Sequence, residues 1–264
     1  MIRSMEKDVT AGGIPRDRHR RQLREEPSMS RGDGDLVHAM HGHLQRCFPG
    51  WEGPVLHERI SPTVHLDVMV VGPTADYPCL RLVTCGMAEL PMHVPSGWAT
   101  TSHAEVTIAL PPSWPVSMNA FGDERFSWPV RLLKHLGRMP HENGTFLWNG
   151  HTTHGDRSRP YMPGSRLCAS LIVPPMIAPP EFEEFDAGPG RSVRILGVLP
   201  LYAEELEVKL QRGLPALLDL IRASDLTDVV DPRRRSLVPG RLAVHGSAGT
   251  RVRSRRREHP PPAG

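Results

Sequence analysis

The chain has 264 residues, 39% hydrophobic and 23% charged, which is enough to bury one substantial core. No run approaches the roughly 18 apolar residues of a membrane helix, which excludes a helical membrane protein. The net charge of +3 is unevenly spread: residues 1–33 carry eight Lys or Arg against six Asp or Glu, residues 231–264 nine against two, and residues 34–230 fifteen against twenty-one. A basic protein by its total is therefore an acidic domain of −6 between two basic ends.

The first 33 residues run "RDRHRRQLREEPSMSRGDGD" without a period that could bury a face, so a disordered segment is expected, and Met29 is an alternative start to Met1. From Asp35 to Phe48, Leu36, Val37, Met40, Leu44 and Phe48 recur at helical spacing, and Pro49-Gly50 ends the run. "VLHERI" (55–60), "VHLDVMVV" (64–71), "LRLVTCGM" (80–87) and "AEVTIALP" (104–111) read as strands between Pro/Gly clusters. Ser127-Trp128-Pro129 opens an amphipathic helix through Val130, Leu133, Leu136 and Met139. "TFLWNG" (145–150), "RLCASLIVPP" and "SVRILGVLPLY" read as further strands, and residues 203–224 as helix broken near Gly213-Pro215. The order predicts an α+β domain over residues 34–230, one mostly antiparallel sheet packed with helices. The tail from 231 to 264 reads as disordered, basic and Pro-rich; contact with nucleic acid or anionic lipid would fall to the two ends.

Cys47, Cys79, Cys85 and Cys168 are scattered, and the charged N-terminus lacks a signal peptide's apolar segment. A cytoplasmic protein with reduced, mostly buried thiols is the expectation.

Candidate chemistry is sparse. His151-Thr-Thr-His154-Gly-Asp156 could supply two or three zinc ligands, but neither an HExxH helix nor a Cys pair completes a set. His38, His41 and His43 cluster on the first helix, where only His38 and His41 have neighbouring faces. Cys85 stands at a strand end before glycine, without a GxSxG elbow or an evident helix N-terminus to activate it. Glu183-Glu184 and Glu204-Glu205 are adjacent pairs that point in different directions. "AGPGRS" lacks the spacing of a phosphate loop. The residues thus favour a binding module needing no cofactor and no metal.

Taken as an ordered set, "LVTCGMAELPM" (82–92), "AEVTIALPPSW" (104–114), "FSWPVRLLKHLGRMPHENGTFLWNGHT" (126–152), "LCASLIVPP" (167–175) and "VRILGVLPLYAEELEVKL" (193–210) resemble the suppressor of fused family, in its bacterial single-domain form without the animal protein's second lobe. The resemblance implies a non-enzymatic α+β domain that grips another protein. Animal members hold a short peptide of a transcription factor as an added strand; bacterial relatives look like immunity proteins that neutralise polymorphic toxins by binding them. Two departures stand out: Cys85 where many relatives carry serine, and Gly150 where animal members place an acid just before the equivalent of His151. The implied role of His151 is to hold a Gly-His-Thr turn.

Partner binding is expected at Glu142, Gly150, His151, Thr152, His154, Asp156 and Arg166, with the loop from Gly150 to Pro163 and the strand Arg166–Val173 forming the surface. Glu142, Asp156, Glu183 and Glu184 would steer a basic partner, such as a nuclease toxin. Three readings result: an immunity protein against a basic toxin domain, a regulatory module for an endogenous protein such as a transcription factor, and a metal-dependent hydrolase using His151 and His154.

Overall fold

A computed structural model describes residues 32–59, 61, 63–98 and 102–239 of the chain. The helix α1 (Gly34–Cys47) begins where Asp33 accepts the Leu36 amide at 3.0 Å. Strands β1 (Val55–Leu56), β2 (Asp67–Val71), β3 (Leu80–Cys85) and β4 (His103–Leu110) form an antiparallel run. Helices α2 (Met118–Phe121) and α3 (Glu124–Asn143) come next, then β5 (Thr152–His154), β6 (Leu167–Val173), β7 (Glu184–Asp186) and β8 (Ser192–Tyr202). Helices α4 (Ala203–Arg212) and α5 (Leu214–Ala223) close the order, broken at Gly213.

The sheet runs β1-β2-β3-β4-β8-β6-β5, with β7 pairing the start of β8. Only β4 and β8 are parallel among these pairs, so the arrangement is the expected α+β, mostly antiparallel one. Both faces are covered, which is why the central strands are buried without alternation. On one face Trp128, Leu133 and Leu136 of α3 pack over Leu82, Val106, Ile108 and Leu196. On the other, Leu36, Met40 and Leu44 of α1 pack over Met69, Val83 and Ile195, while α4 and α5 place Leu206, Leu217 and Ile221 over Leu171, Leu199 and Leu201.

Several expectations need correction. The strand expected over 55–60 shrinks to two residues, because Glu58 turns back: its amide donates to Asp67 and its carboxylate accepts the Leu66 amide. Residues 145–150 form no strand, since their main chain bonds elsewhere: Thr145 N–H to Pro140 and His93 N–H to Thr145 O. Three-residue strands β5 and β7 are too short to announce themselves by period. The body also continues past residue 230, where sequence reasoning ended it. Val230 N–H donates to Ala109 O at 2.9 Å, Val238 is buried against α4 and α5, and Arg234 pairs with buried Glu205. The rest of both expected tails, and the alternative start at Met29, lie outside the described residues. All four cysteines are buried and unpaired.

Candidate functional site

The segment after α3 builds a sheet edge beside a cluster of aromatic rings. Gly144 ends α3 in the left-handed region at φ 61°, and Phe146 and Leu147 then dip into the core. A turn follows, closed by His151 N–H to Trp148 O at 2.9 Å. It requires φ +86° at Gly150, which glycine adopts without a steric penalty. Gly150 N–H donates to Ile172 O at 2.7 Å and Ile172 N–H to His151 O at 2.8 Å, so the turn delivers β5 onto β6.

Among the described residues β5 is the last strand on its side of the sheet. His151 bonds Ile172, so by the antiparallel alternation Thr153 faces Ser170 as the next bonded pair. Thr152 and His154 then direct their main-chain N–H and C=O groups away from β6. The side chains alternate too. The Thr152 hydroxyl accepts from Lys209 of α4 at 2.9 Å. On the other face, Ser170 bonds the Tyr161 hydroxyl at 2.8 Å, and that ring stacks on Trp128 at 5.6 Å; burial pushes the Tyr161 phenol up.

Beside this edge Trp98 meets Phe146 at 6.1 Å and Trp148 at 5.3 Å, both edge-on, and the His151 ring packs on Phe146 at 4.9 Å. The Arg194 guanidinium lies 5.3 Å over Trp148 and pairs with Glu184 at 2.9 Å. Trp98 and Trp148 are half-buried. Half-exposed tryptophans beside an arginine are the composition that recurs at protein–protein contacts.

The structure brings Gly150, His151, Thr152 and His154 together on that edge. Asp156 follows in the exposed loop, where the Ser158 hydroxyl and amide hold its carboxyl below the usual range, with Arg159 at 3.7 Å. Arg166 opens toward α4, pairing with Glu204 at 2.6 Å and lying over Tyr202 at 5.1 Å. Glu142 is exposed on the last turn of α3. Glu184 is bound to Arg194, and Glu183 is half-buried in a 3-10 turn. Sequence reasoning missed Trp98 and Arg194. Trp98 stands in an irregular Pro-Ser-Gly segment that has no period, and Arg194 interrupts an otherwise apolar strand.

His151 and His154 lie three residues apart along an extended segment, so their side chains leave opposite faces of it. His154 Nδ1 is 2.9 Å from Gly155 O. Among the described residues no three His, Cys, Asp or Glu side chains are grouped to hold a metal. Cys85 is 1% exposed, and burial pushes its thiol up, away from the nucleophilic form.

A family model described as suppressor of fused protein matches residues 62–235. Among solved structures, the chain is similar to a suppressor of fused homologue from Neisseria gonorrhoeae, at 17% identity and TM-score 0.59 over 78% of this chain and 98% of that one. It is also similar to the Sufu–Fu complex, at 16% identity and TM-score 0.55 over 81% and 93%. Drosophila Suppressor of Fused matches at 16% identity and TM-score 0.52; the similarity covers 81% of this chain but 52% of that one. No curated protein sequence matches the chain. At such identities the likeness to these structures establishes the fold.

Proposed function

The chain belongs to the suppressor of fused family, and on that footing we propose that it is a non-enzymatic protein-binding domain, specifically a cytoplasmic immunity protein that neutralises a basic toxin domain by binding it. The observation that carries protein binding is the β5 edge, with outward main-chain groups on Thr152 and His154 beside the Trp98, Phe146, Trp148 and Arg194 cluster. An unpaired edge accepts a strand through main-chain hydrogen bonds, and neighbouring rings select its side chains. The Sufu–Fu complex is a relative held with a protein partner, which supports the same class of action.

The immunity assignment rests on the bacterial resemblance and on the −6 body, which would speed encounter with a basic nuclease domain. A regulatory module for an endogenous protein uses the same edge and differs only in its partner.

The experiment is affinity capture from the native host with the full chain as bait, followed by co-expression of whatever is recovered. A toxin domain that arrests growth alone and is silenced by this chain establishes the immunity reading. Recovery of a transcription regulator, with no growth phenotype, replaces it with the regulatory one.

A further inference from the structure

The acid excess of the body is not at the β5 edge. Residues 150–166 carry Arg157, Arg159 and Arg166 against Asp156 alone. At the opposite end of the sheet, beyond β1, residues 48–53 and 71–74 wall a groove of about 330 Å³. Its backing is aromatic: Phe48 meets Tyr77 edge-on at 5.9 Å and Phe182 at 5.4 Å, and the Trp51 indole donates to Val70 O at 2.8 Å. Gly53 runs so close to β2 that a Cβ would lie 1.9 Å from the Val70 oxygen, so the wall tolerates only glycine there. Pro49 and Pro73 in the lining contribute carbonyls but no N–H, which weights the main-chain surface toward acceptors.

One carboxylate lines this groove, and two more follow or precede residues that build it. Glu52 lines it and is exposed; Asp76 is exposed in the turn that Thr74 and Tyr77 close with two 3.0 Å bonds. Glu181, also exposed, precedes the Phe182 that packs on Phe48, and it lies close enough to add to the burial that pushes the Cys47 thiol up to about 11. Arg46 acts on Cys47 with the opposite sign to Glu181, and the exposed His41 ring lies 5.0 Å from Trp51 in the wall. Acceptor-rich walls, the lining carboxylate of Glu52, the nearby exposed Asp76 and Glu181, and the half-buried Tyr77 packed on Phe48 match guanidinium and ammonium groups.

We propose that this groove is a second docking surface and takes an extended, arginine- or lysine-bearing segment of the protein partner. The proposal rests on the reading above that the chain grips a basic protein: the β5 edge takes a strand, and the groove takes the charge. Six strand spacings separate β1 from β5, so a partner engaging both ends must reach roughly 30 Å across the sheet.

The test titrates a blocked nine-residue peptide of alternating arginine and valine into the full chain. Saturable binding weakened at least about tenfold by Glu52→Lys with Asp76→Lys, and unchanged by Glu124→Lys with Asp219→Lys, exposed acids away from both surfaces, is the expected result. Both acids of the first pair are exposed, and an unaltered melting temperature confirms the fold. Absent binding, or equal loss in both double variants, overturns the proposal. Binding that appears only after deletion of residues 1–31 shows the groove filled by the chain's own basic segment, and a dimer dissociated by Glu52→Lys with Asp76→Lys shows it filled by a second copy; either result also overturns it. With a cognate partner in hand, loss of binding in Trp148→Ala but none in Glu52→Lys with Asp76→Lys sinks this groove and leaves the edge reading intact. Peptide binding to the groove with only a non-basic protein partner captured from the host sinks the basic-toxin reading instead.

Discussion

Arg234 forks both terminal guanidinium nitrogens onto the two carboxylate oxygens of Glu205, each at 2.5 Å, from the segment that follows the last helix. Glu205 is fully buried and also accepts the Tyr202 amide at 2.9 Å and the Leu237 amide at 2.9 Å. The same guanidinium lies 4.6 Å over the Tyr202 ring, whose hydroxyl donates to Arg234 O. One carboxylate from the "LYAEEL" motif thereby fastens residues 234–237 across β8 and α4.

Breaking such a buried pair leaves a charge without its counterion. Arg234→Ala is expected to lower stability by about 3–5 kcal/mol, with Glu205→Ala similar. Arg234→Leu combined with Glu205→Leu should cost less than either alanine variant, because no buried charge remains unpaired. Urea unfolding of the three variants checks this; a double variant as unstable as the sum of the singles would show two independent contributions instead.

Acid should destabilise the fold through three histidines, the first of them His43, whose burial holds its ring below the usual imidazole range against the opposing Phe182 carbonyl. Burial holds the His103 ring below the usual imidazole range, and the Arg191 charge adds to this. Burial does the same for His141; the Met87 carbonyl, 2.9 Å from its Nε2, and Glu89 oppose it, while His93 and His103 reinforce it. A base depressed in the folded state takes up its proton more readily when unfolded, so stability is complete above pH 6.5 and falls as pH drops below it. Each ring can contribute at most about 1.4 kcal/mol per pH unit. His141→Gln, which can keep a donor toward Met87, should flatten the loss of melting temperature between pH 6.5 and 5. An unchanged slope would place the acid sensitivity elsewhere.

The His-rich loop should not bind zinc stoichiometrically. The side chains of His151 and His154 leave opposite faces of an extended segment, and the His151 ring is packed on Phe146. Metal analysis of the purified chain, and of His151→Ala with His154→Ala, should give the same sub-stoichiometric zinc. One zinc per chain, lost in the double variant, would restore the hydrolase reading.

Much of the fold was legible because its long elements carry strong periods. Leu36, Met40 and Leu44 marked α1, and Leu133 and Leu136 marked α3, while the apolar runs of β3, β4, β6 and β8 follow from burial on both faces. What escaped was set by side chains acting on distant main chain. Nothing in "VLHERI" shows that Glu58 will bind the Leu66 amide, Lys134 and Arg138 together; burial alone would raise its carboxyl, and those partners hold it below the usual range. The Gly-His-Thr turn was readable from its glycine. The ring cluster beside it was not, because Trp98 and Arg194 come from two separate segments that only the fold joins to Trp148.

Trp148 is therefore the side chain whose loss should matter most to partner binding and least to folding. It is half-buried, stands outside the regular elements, and touches Trp98 on one side and Arg194 on the other. Trp148→Ala removes a large ring from a surface cluster without opening a sealed cavity, so its stability cost should stay below the roughly 3–5 kcal/mol of a core tryptophan such as Trp128. If the cluster anchors a partner strand at β5, the same change should weaken binding by about 2 kcal/mol or more, close to thirtyfold. Arg194→Met separates the contributions, since it ends the pairing with Glu184 and the cation–π contact while leaving the tryptophan in place. Calorimetry with the captured partner decides: full affinity in Trp148→Ala would move the contact off this edge.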